Sequence, residues 1–170
     1  MGQYKIPAQL GKFVHTETMV VRSPGRINLI GEHTDYNNGF VLPAAIDKAV
    51  YVVIEKNEGD AITLRSVDFN ETVETTVADI KPAFGHWSTY ILGVAAQFIK
   101  KGLTVPGFKL TVYGDVPLGA GLSSSAAIEC AVAFALNELF GFGFDRRELS
   151  LIAQQAEHEY AGVKCGIMDQ

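Results

Sequence analysis

Three runs of this sequence carry residue types that could cradle a phosphate chain, hold several hydroxyl groups and accept a proton. The first is Pro117-Leu-Gly-Ala-Gly-Leu-Ser-Ser-Ser-Ala-Ala127. Glycines let a backbone approach an anion closely. A helix opening directly after them presents free N–H groups and the positive end of its dipole. No lysine follows the second glycine, so this is not a Walker A loop. A serine at the helix start can offer its hydroxyl to Mg²⁺. Taken alone, the run reads equally as a phosphate site or as a capped helix after a flexible turn. The second run is Arg22-Ser-Pro-Gly-Arg26-Ile-Asn-Leu-Ile-Gly31-Glu32-His33-Thr34-Asp35-Tyr36. Its apolar Ile27, Leu29 and Ile30 are expected to anchor the segment, which leaves Glu32, His33 and Asp35 clustered past a glycine. Two carboxylates and an imidazole suit a ligand with many hydroxyls, as a sugar has. The bland counterpart is a polar turn leading to the hairpin signal Asn37-Asn-Gly39. The third run closes the chain. Glu157 stands at the edge of an apolar helical stripe, Leu149, Ile152, Ala153, Ala156 and Tyr160, where an acid either reaches outward or coordinates something, a metal being one option. His158 is expected to face solvent. Asp169, after Ile167 and Met168, is an unspecific candidate base.

These residues need elements to position them. Thr18–Ser23 reads as a strand ended by the turn pair Pro24-Gly25. Ala45–Lys56, rich in Val, Ile and Tyr, reads as another, with Asn57–Asp60 as a turn. Ala61–Phe69 and Glu71–Val77 alternate and suggest a hairpin about Phe69-Asn70-Glu71. His86–Lys101 has helical spacing at Ile91, Val94, Ala95 and Phe98, with Gly102 as its stop. Phe108, Leu110 and Val112 alternate with polar neighbours as a half-buried strand. Ala126–Phe140 is apolar nearly all round, hence a buried helix. Asp145 with Glu148 resembles an N-cap and its box partner, opening a helix that runs to about Tyr160. Strands before and between helices give an α+β or α/β class.

The 170 residues and 18.4 kDa suffice for one well-buried domain. Net charge is −5 with a pI near 5.3. That argues against a dedicated nucleic-acid binder, which needs a basic face, and leaves room for a local positive pocket for a phosphorylated ligand. No apolar run is long enough for a membrane span, and no secretory signal is visible at the start. Cys130 and Cys165 read as reduced thiols of a cytosolic protein, and no zinc spacing is present.

Taken together, the runs resemble the galactokinases, a branch of the GHMP family of small-molecule kinases. Gly25-Arg-Ile-Asn-Leu-Ile-Gly-Glu-His-Thr-Asp-Tyr36 is similar to the galactokinase signature, and Gly119-Ala-Gly-Leu-Ser-Ser-Ser-Ala126 to the family's ATP motif. Gln154-Gln-Ala-Glu-His158 and Cys165-Gly-Ile-Met-Asp-Gln170 also resemble galactokinase segments. The resemblance implies a two-layer α+β domain of the ribosomal protein S5 domain 2-like type, a mixed sheet with helices on one face. It implies ATP-dependent phosphorylation of the anomeric hydroxyl of galactose, with Mg²⁺; the absence of a visible signal and the need for ATP give the cytoplasm as the expected location. Asp169 would be the base, with Arg26 beside it lowering its pKa and compensating charge on the phosphoryl group. Glu32, His33, Thr34, Asp35 and the backbone near Gly166 would hold the sugar. Gly119, Ala120, Gly121, Leu122, Ser123, Ser124 and Ser125 would cradle the triphosphate, with Ser66 and Trp87 near the nucleotide and Ser125 and Glu157 on Mg²⁺. Residues 1–170 would form the amino-terminal domain. The second domain, which completes the cleft and brings a further sugar-contacting tyrosine, has no counterpart in this sequence. The resemblance leaves open a related kinase acting on N-acetylgalactosamine or arabinose, and a non-catalytic sensor of sugar and ATP on the same scaffold. No nucleic-acid or membrane partner is expected.

Overall fold

The structure is a computed structural model, and it describes residues 4–31, 33–117 and 119–170. Five strands, β1 (Met19–Asn28), β2 (Pro43–Lys56), β3 (Ala61–Ser66), β4 (Glu71–Thr76) and β5 (Phe108–Gly114), make one mixed sheet in the order β1-β2-β5-β3-β4. Only β3 and β5 run parallel; the other neighbours are antiparallel. Helices α1 (Ser88–Lys100), α2 (Ser124–Phe140) and α3 (Arg146–Ala156) pack together on one face. This is the expected two-layer α+β arrangement. Among the described residues no helix is long and apolar enough to cross a membrane.

The strand period decides the layers. Val50, Val52 and Ile54 of β2, Ile62 and Leu64 of β3, and Phe108, Leu110 and Val112 of β5 all point to the helices and are buried. Against them lie Ile91, Val94 and Phe98 of α1, Val132 and Leu136 of α2, and Leu149 and Ile152 of α3. Phe98 stacks at 5.0 Å from Phe142 and 5.8 Å from Phe144, which closes the core below the end of α2. On the opposite face the 3-10 turn Ala8–Phe13 is fixed by fully buried Leu10 and by Gln9, whose amide donates to the Tyr113 hydroxyl at 3.2 Å.

The helix ends follow their local chemistry. Asp145 and Glu148 form the expected capping box, each side chain accepting the other's backbone N–H at 2.8 and 2.9 Å. Gly102 adopts φ +84°, and Leu103 returns its N–H to the Phe98 carbonyl at 3.2 Å, ending α1. Beyond α3 the chain widens into a π-turn, Glu157–Ala161, which ends at Gly162.

Pro24-Gly25 does not end β1. The strand runs on to Asn28, with a register irregularity between Pro24 and Arg26. β1 is the sheet's edge, where a missing N–H costs no ladder bond. Gly25 is needed because a Cβ there would lie 2.8 Å from the Leu122 carbonyl oxygen. Ile27, Leu29 and Ile30 do not anchor the next segment either, since all three are exposed. Backbone pairing holds it instead, through Leu29 N–H to Leu42 O and Leu42 N–H to Ile30 O, each at 3.0 Å.

Phe98→Ala is expected to cost about 3–5 kcal/mol through the cavity it leaves. Urea unfolding measures this, and a loss under about 1 kcal/mol would show that the core closes over the gap.

Candidate active site

Arg26 joins the two segments on which the chemistry depends. Its Nε donates to Asp169 Oδ1 at 2.8 Å, Nη2 contacts the same oxygen, and Nη1 donates to the Gly121 carbonyl at 2.7 Å. Its backbone N–H donates to the Leu122 carbonyl at 3.2 Å. The Arg26 and Asp169 side chains are 17% and 23% exposed, so solvent screens the pair only in part. A regular pleat would face Arg22 and Arg26 alike. Arg22, however, stacks over Tyr4 and Tyr51, while Arg26 reaches the loop before α2. The irregularity between them re-aims the strand.

The glycine-serine loop enters α2 through left-handed residues at Gly119, Gly121 and Ser123, with φ +70°, +69° and +57°. Gly119, Ala120 and Gly121 are exposed, and Leu122, Ser123, Ser124 and Ser125 are half-buried. Ser123 is a non-glycine in a strained conformation, and its buried Oγ has no hydrogen-bond partner. Beside the loop a cleft of about 140 Å³ brings Ser66, Trp87, Ile91, Val116 and Ser124 together. Ser66 is buried, with Oγ accepting the Phe69 N–H at 3.2 Å, and Trp87 Nε1 donates to Glu71 Oε2 at 2.8 Å. Asp68 also lines this cleft. Burial raises its pKa, and its carboxylate accepts the Gly114 N–H at 2.9 Å.

Behind the loop, α2 and the π-turn meet in a polar seam. Ser125 Oγ donates to Glu157 Oε1 at 2.8 Å, while Gln170 Nε2 and Cys165 Sγ donate to Oε2 at 2.8 and 3.1 Å. Glu157 is buried, and every one of these donors is neutral. No lysine or arginine pairs with it among the described residues. A buried carboxylate without a protein cation, next to a phosphate-type loop, has the donor chemistry to hold a hard divalent cation such as Mg²⁺. The described residues hold no cluster of three or more His, Cys, Asp or Glu that would form an all-protein metal cage. His158 does not face solvent: it is half-buried, and its Nε2 donates to the Cys165 carbonyl at 2.9 Å, because the chain after the π-turn folds back across it.

Glu129, midway along α2, is fully buried, with its carboxyl group set against the side chains of Glu157 and Gln170. Burial pushes its pKa up to about 10, and the neighbouring Glu157 adds to the rise. Burial likewise raises the thiols of Cys130 and Cys165 to about 12, and both are free.

The sugar-type cluster is only partly assembled around open space. Glu32 lies outside the described residues. His33 is exposed with φ +60°, and its Nδ1 meets the Tyr36 hydroxyl. Thr34 uses its hydroxyl to hold the turn, at 2.7 Å from the Gly31 carbonyl and 2.8 Å from the Phe40 carbonyl. Asp35 accepts the N–H groups of Ile167 and Met168 at 3.2 and 3.1 Å. A Cβ at Gly166 would overlap the Asp35 carboxylate, so only glycine fits there. Asp35 therefore faces the segment that carries Asp169.

Glu129, Gln170, Cys165 and Asp68 were not singled out in the sequence as parts of this centre. An acid flanked by apolar residues in the middle of a helix is the one available signal, at Glu129. The partners of the others arrive from distant segments.

Glu129 keeps a proton that the unfolded chain releases in the ordinary carboxylate range. Between there and about pH 10 the native state binds more protons, so stability falls as pH rises, by at most about 1.4 kcal/mol per unit. Glu129→Gln is expected to flatten the decline of the thermal midpoint between pH 5.5 and 8.5. An unchanged slope would show that Glu129 titrates alike in both states.

Residues 11–56 match the galactokinase galactose-binding signature, and residues 89–170 match the GHMP kinases N terminal domain. The galactokinase of Thermotoga maritima is 49% identical over 152 residues, which are 89% of this chain and 42% of that protein. The galactokinase of Chloroflexus aurantiacus is 44% identical over 159 residues, 93% and 41% of the two chains. The chain thus spans about two fifths of the curated relatives it matches. The crystal structure of Lactococcus lactis galactokinase complexed with galactose superposes with a TM-score of 0.86 at 38% identity, covering 90% of this chain and 40% of that one. Methanococcus jannaschii mevalonate kinase shares the fold, with a TM-score of 0.77 at 24% identity over 89% of this chain and 49% of that one. With both motif models, the sequence relatives and the fold in agreement, the chain belongs to the galactokinase branch of the GHMP kinases.

Proposed function

We propose that the protein transfers the γ-phosphoryl group of ATP to the anomeric hydroxyl of galactose, giving galactose 1-phosphate. The observation that carries this reading is the Arg26 guanidinium, which holds the Asp169 carboxylate and the Gly121 carbonyl at once. A candidate base and a candidate phosphate cradle are thereby fixed relative to each other. Phosphoryl transfer asks a protein chiefly for such positioning and for charge compensation.

Asp169 accepts the proton of the sugar hydroxyl as its oxygen attacks the γ-phosphorus and the bond to the β-phosphate oxygen breaks. Arg26 offsets negative charge on the group in transit. The exposed backbone of Gly119 to Gly121 and the start of α2 at Ser124 cradle the triphosphate. The adenine ring of ATP occupies the cleft at Trp87 and Ser66, whose apolar walls and indole suit a heteroaromatic ring. Ser125 and Glu157 would hold Mg²⁺, which would supply charge neutralisation on the phosphates. Glu32, His33, Thr34, Asp35 and the backbone at Gly166 contact the sugar. The two hydrogen bonds Asp35 accepts leave its carboxylate with free lone pairs.

Residues 1–170 act as the family's amino-terminal domain, and the further polypeptide of the longer relatives supplies the remaining wall of the cleft. The exposed Leu29, Ile30, Phe40 and Leu42 beside the sugar loop favour such a cover. The reaction's need for ATP, with no secretory signal visible in the sequence, supports work in the cytoplasm.

The test is ADP release from Mg-ATP by the natural-length chain with galactose, glucose, N-acetylgalactosamine or no sugar. Release dependent on galactose is expected, and Asp169→Asn should reduce turnover by about 10²–10⁴-fold while ATP affinity stays within a few-fold. Equal losses of turnover and ATP affinity would remove Asp169 from the role of base. Galactose binding without any ADP release would favour the sensor.

A further inference from the structure

We propose that Gln170 is a positioning residue that orients the Glu157 carboxylate, an inference that rests on Glu157 being a metal ligand. The carboxylate end of a glutamate turns about a broad, weakly restrained torsion, and burial alone does not choose which oxygen it presents. Here each oxygen has a protein partner, and the neutral Glu129 carboxyl lies against both Glu157 and Gln170. Oε2 accepts from the Gln170 amide and the Cys165 thiol, and Oε1 meets the Ser125 hydroxyl on the loop side.

Gln170 is itself held on both sides. Its carbonyl accepts from Cys130 Sγ of α2 at 3.4 Å, and its N–H donates to the Ile167 carbonyl at 3.3 Å. The residue before it is Asp169, secured by Arg26. One dipeptide therefore reaches the candidate base site with one side chain and the candidate metal carboxylate with the next.

The chemistry of the donor matters as much as its place. An amide and a thiol satisfy an oxygen of Glu157 without adding positive charge, so the carboxylate keeps its attraction for a cation. A lysine or arginine in the same place would neutralise it. Partners that orient metal ligands in this way change metal affinity by about 10–100-fold when removed. Gln170→Met keeps length and volume and removes the donor.

The test measures Mn²⁺ binding by electron paramagnetic resonance on the natural-length chain with a non-hydrolysable ATP analogue, alongside galactose affinity. Gln170→Met is expected to weaken Mn²⁺ binding about tenfold or more and to raise the Mg²⁺ concentration needed for turnover, with galactose affinity unchanged. Should Gln170→Met fail to fold, Cys165→Ala gives the same loss in smaller measure and Cys165→Ser restores it. Wild-type Mn²⁺ affinity in Gln170→Met and Cys165→Ala, with Glu157→Gln impaired, overturns the positioning role and leaves the metal reading standing. Unchanged Mn²⁺ binding in Glu157→Gln overturns both.

Discussion

The site depends on one guanidinium. Arg26 is carried by the edge strand, yet its side chain and backbone bond to the loop before α2 and to the segment after the π-turn. Those two segments lie nearly fifty residues apart in sequence and share no secondary structure. Charge-assisted bonds of good geometry, partly withdrawn from water, are among the stronger polar contacts a protein can make. The guanidinium also has more N–H groups than these contacts use, and they remain available to an incoming anion. Fixing a fold and neutralising transferred charge are thus one property of one side chain.

That arrangement requires β1 to break its own regularity. The proline and glycine at 24 and 25 sit where the edge strand loses register, which lets the Leu122 carbonyl approach and swings Arg26 off the face that Arg22 occupies. On the helix side a different compromise appears. α2 is buried nearly all round and still carries Glu129, kept neutral by its surroundings, next to the acid that the loop serine contacts. A second ionised carboxylate so close would compete for the same neutral donors.

Elements governed by short-range chemistry were legible in the sequence. The capping box at Asp145 and Glu148, the stop at Gly102, the hairpin turn near Asn70 and the alternation of β5 all depend on neighbours within a few positions. Features set by remote partners were not. Pro24-Gly25 reads locally as a turn, and only its place at the sheet edge makes it a bulge. His158 reads as solvent-facing until the chain returns to set the Cys165 carbonyl against it. Ile27, Leu29 and Ile30 read as anchors because their types are apolar, while backbone pairing across the loop does the anchoring. The proximity of Arg26 to Asp169 and of Ser125 to Glu157 followed from resemblance to a family. No spacing rule connects residues so far apart in the chain.

The close fit of Asp35 against Gly166 has a thermodynamic consequence. With its carboxylate bound to the N–H groups of Ile167 and Met168, the hydroxyl-binding turn and the segment bearing Asp169 form one body before any ligand arrives. The conformational freedom of both was surrendered during folding, where the core compensates for it. A sugar entering such a site gives up its own motion and little of the protein's, so more of its contact energy can appear as affinity or be directed to the reacting bond.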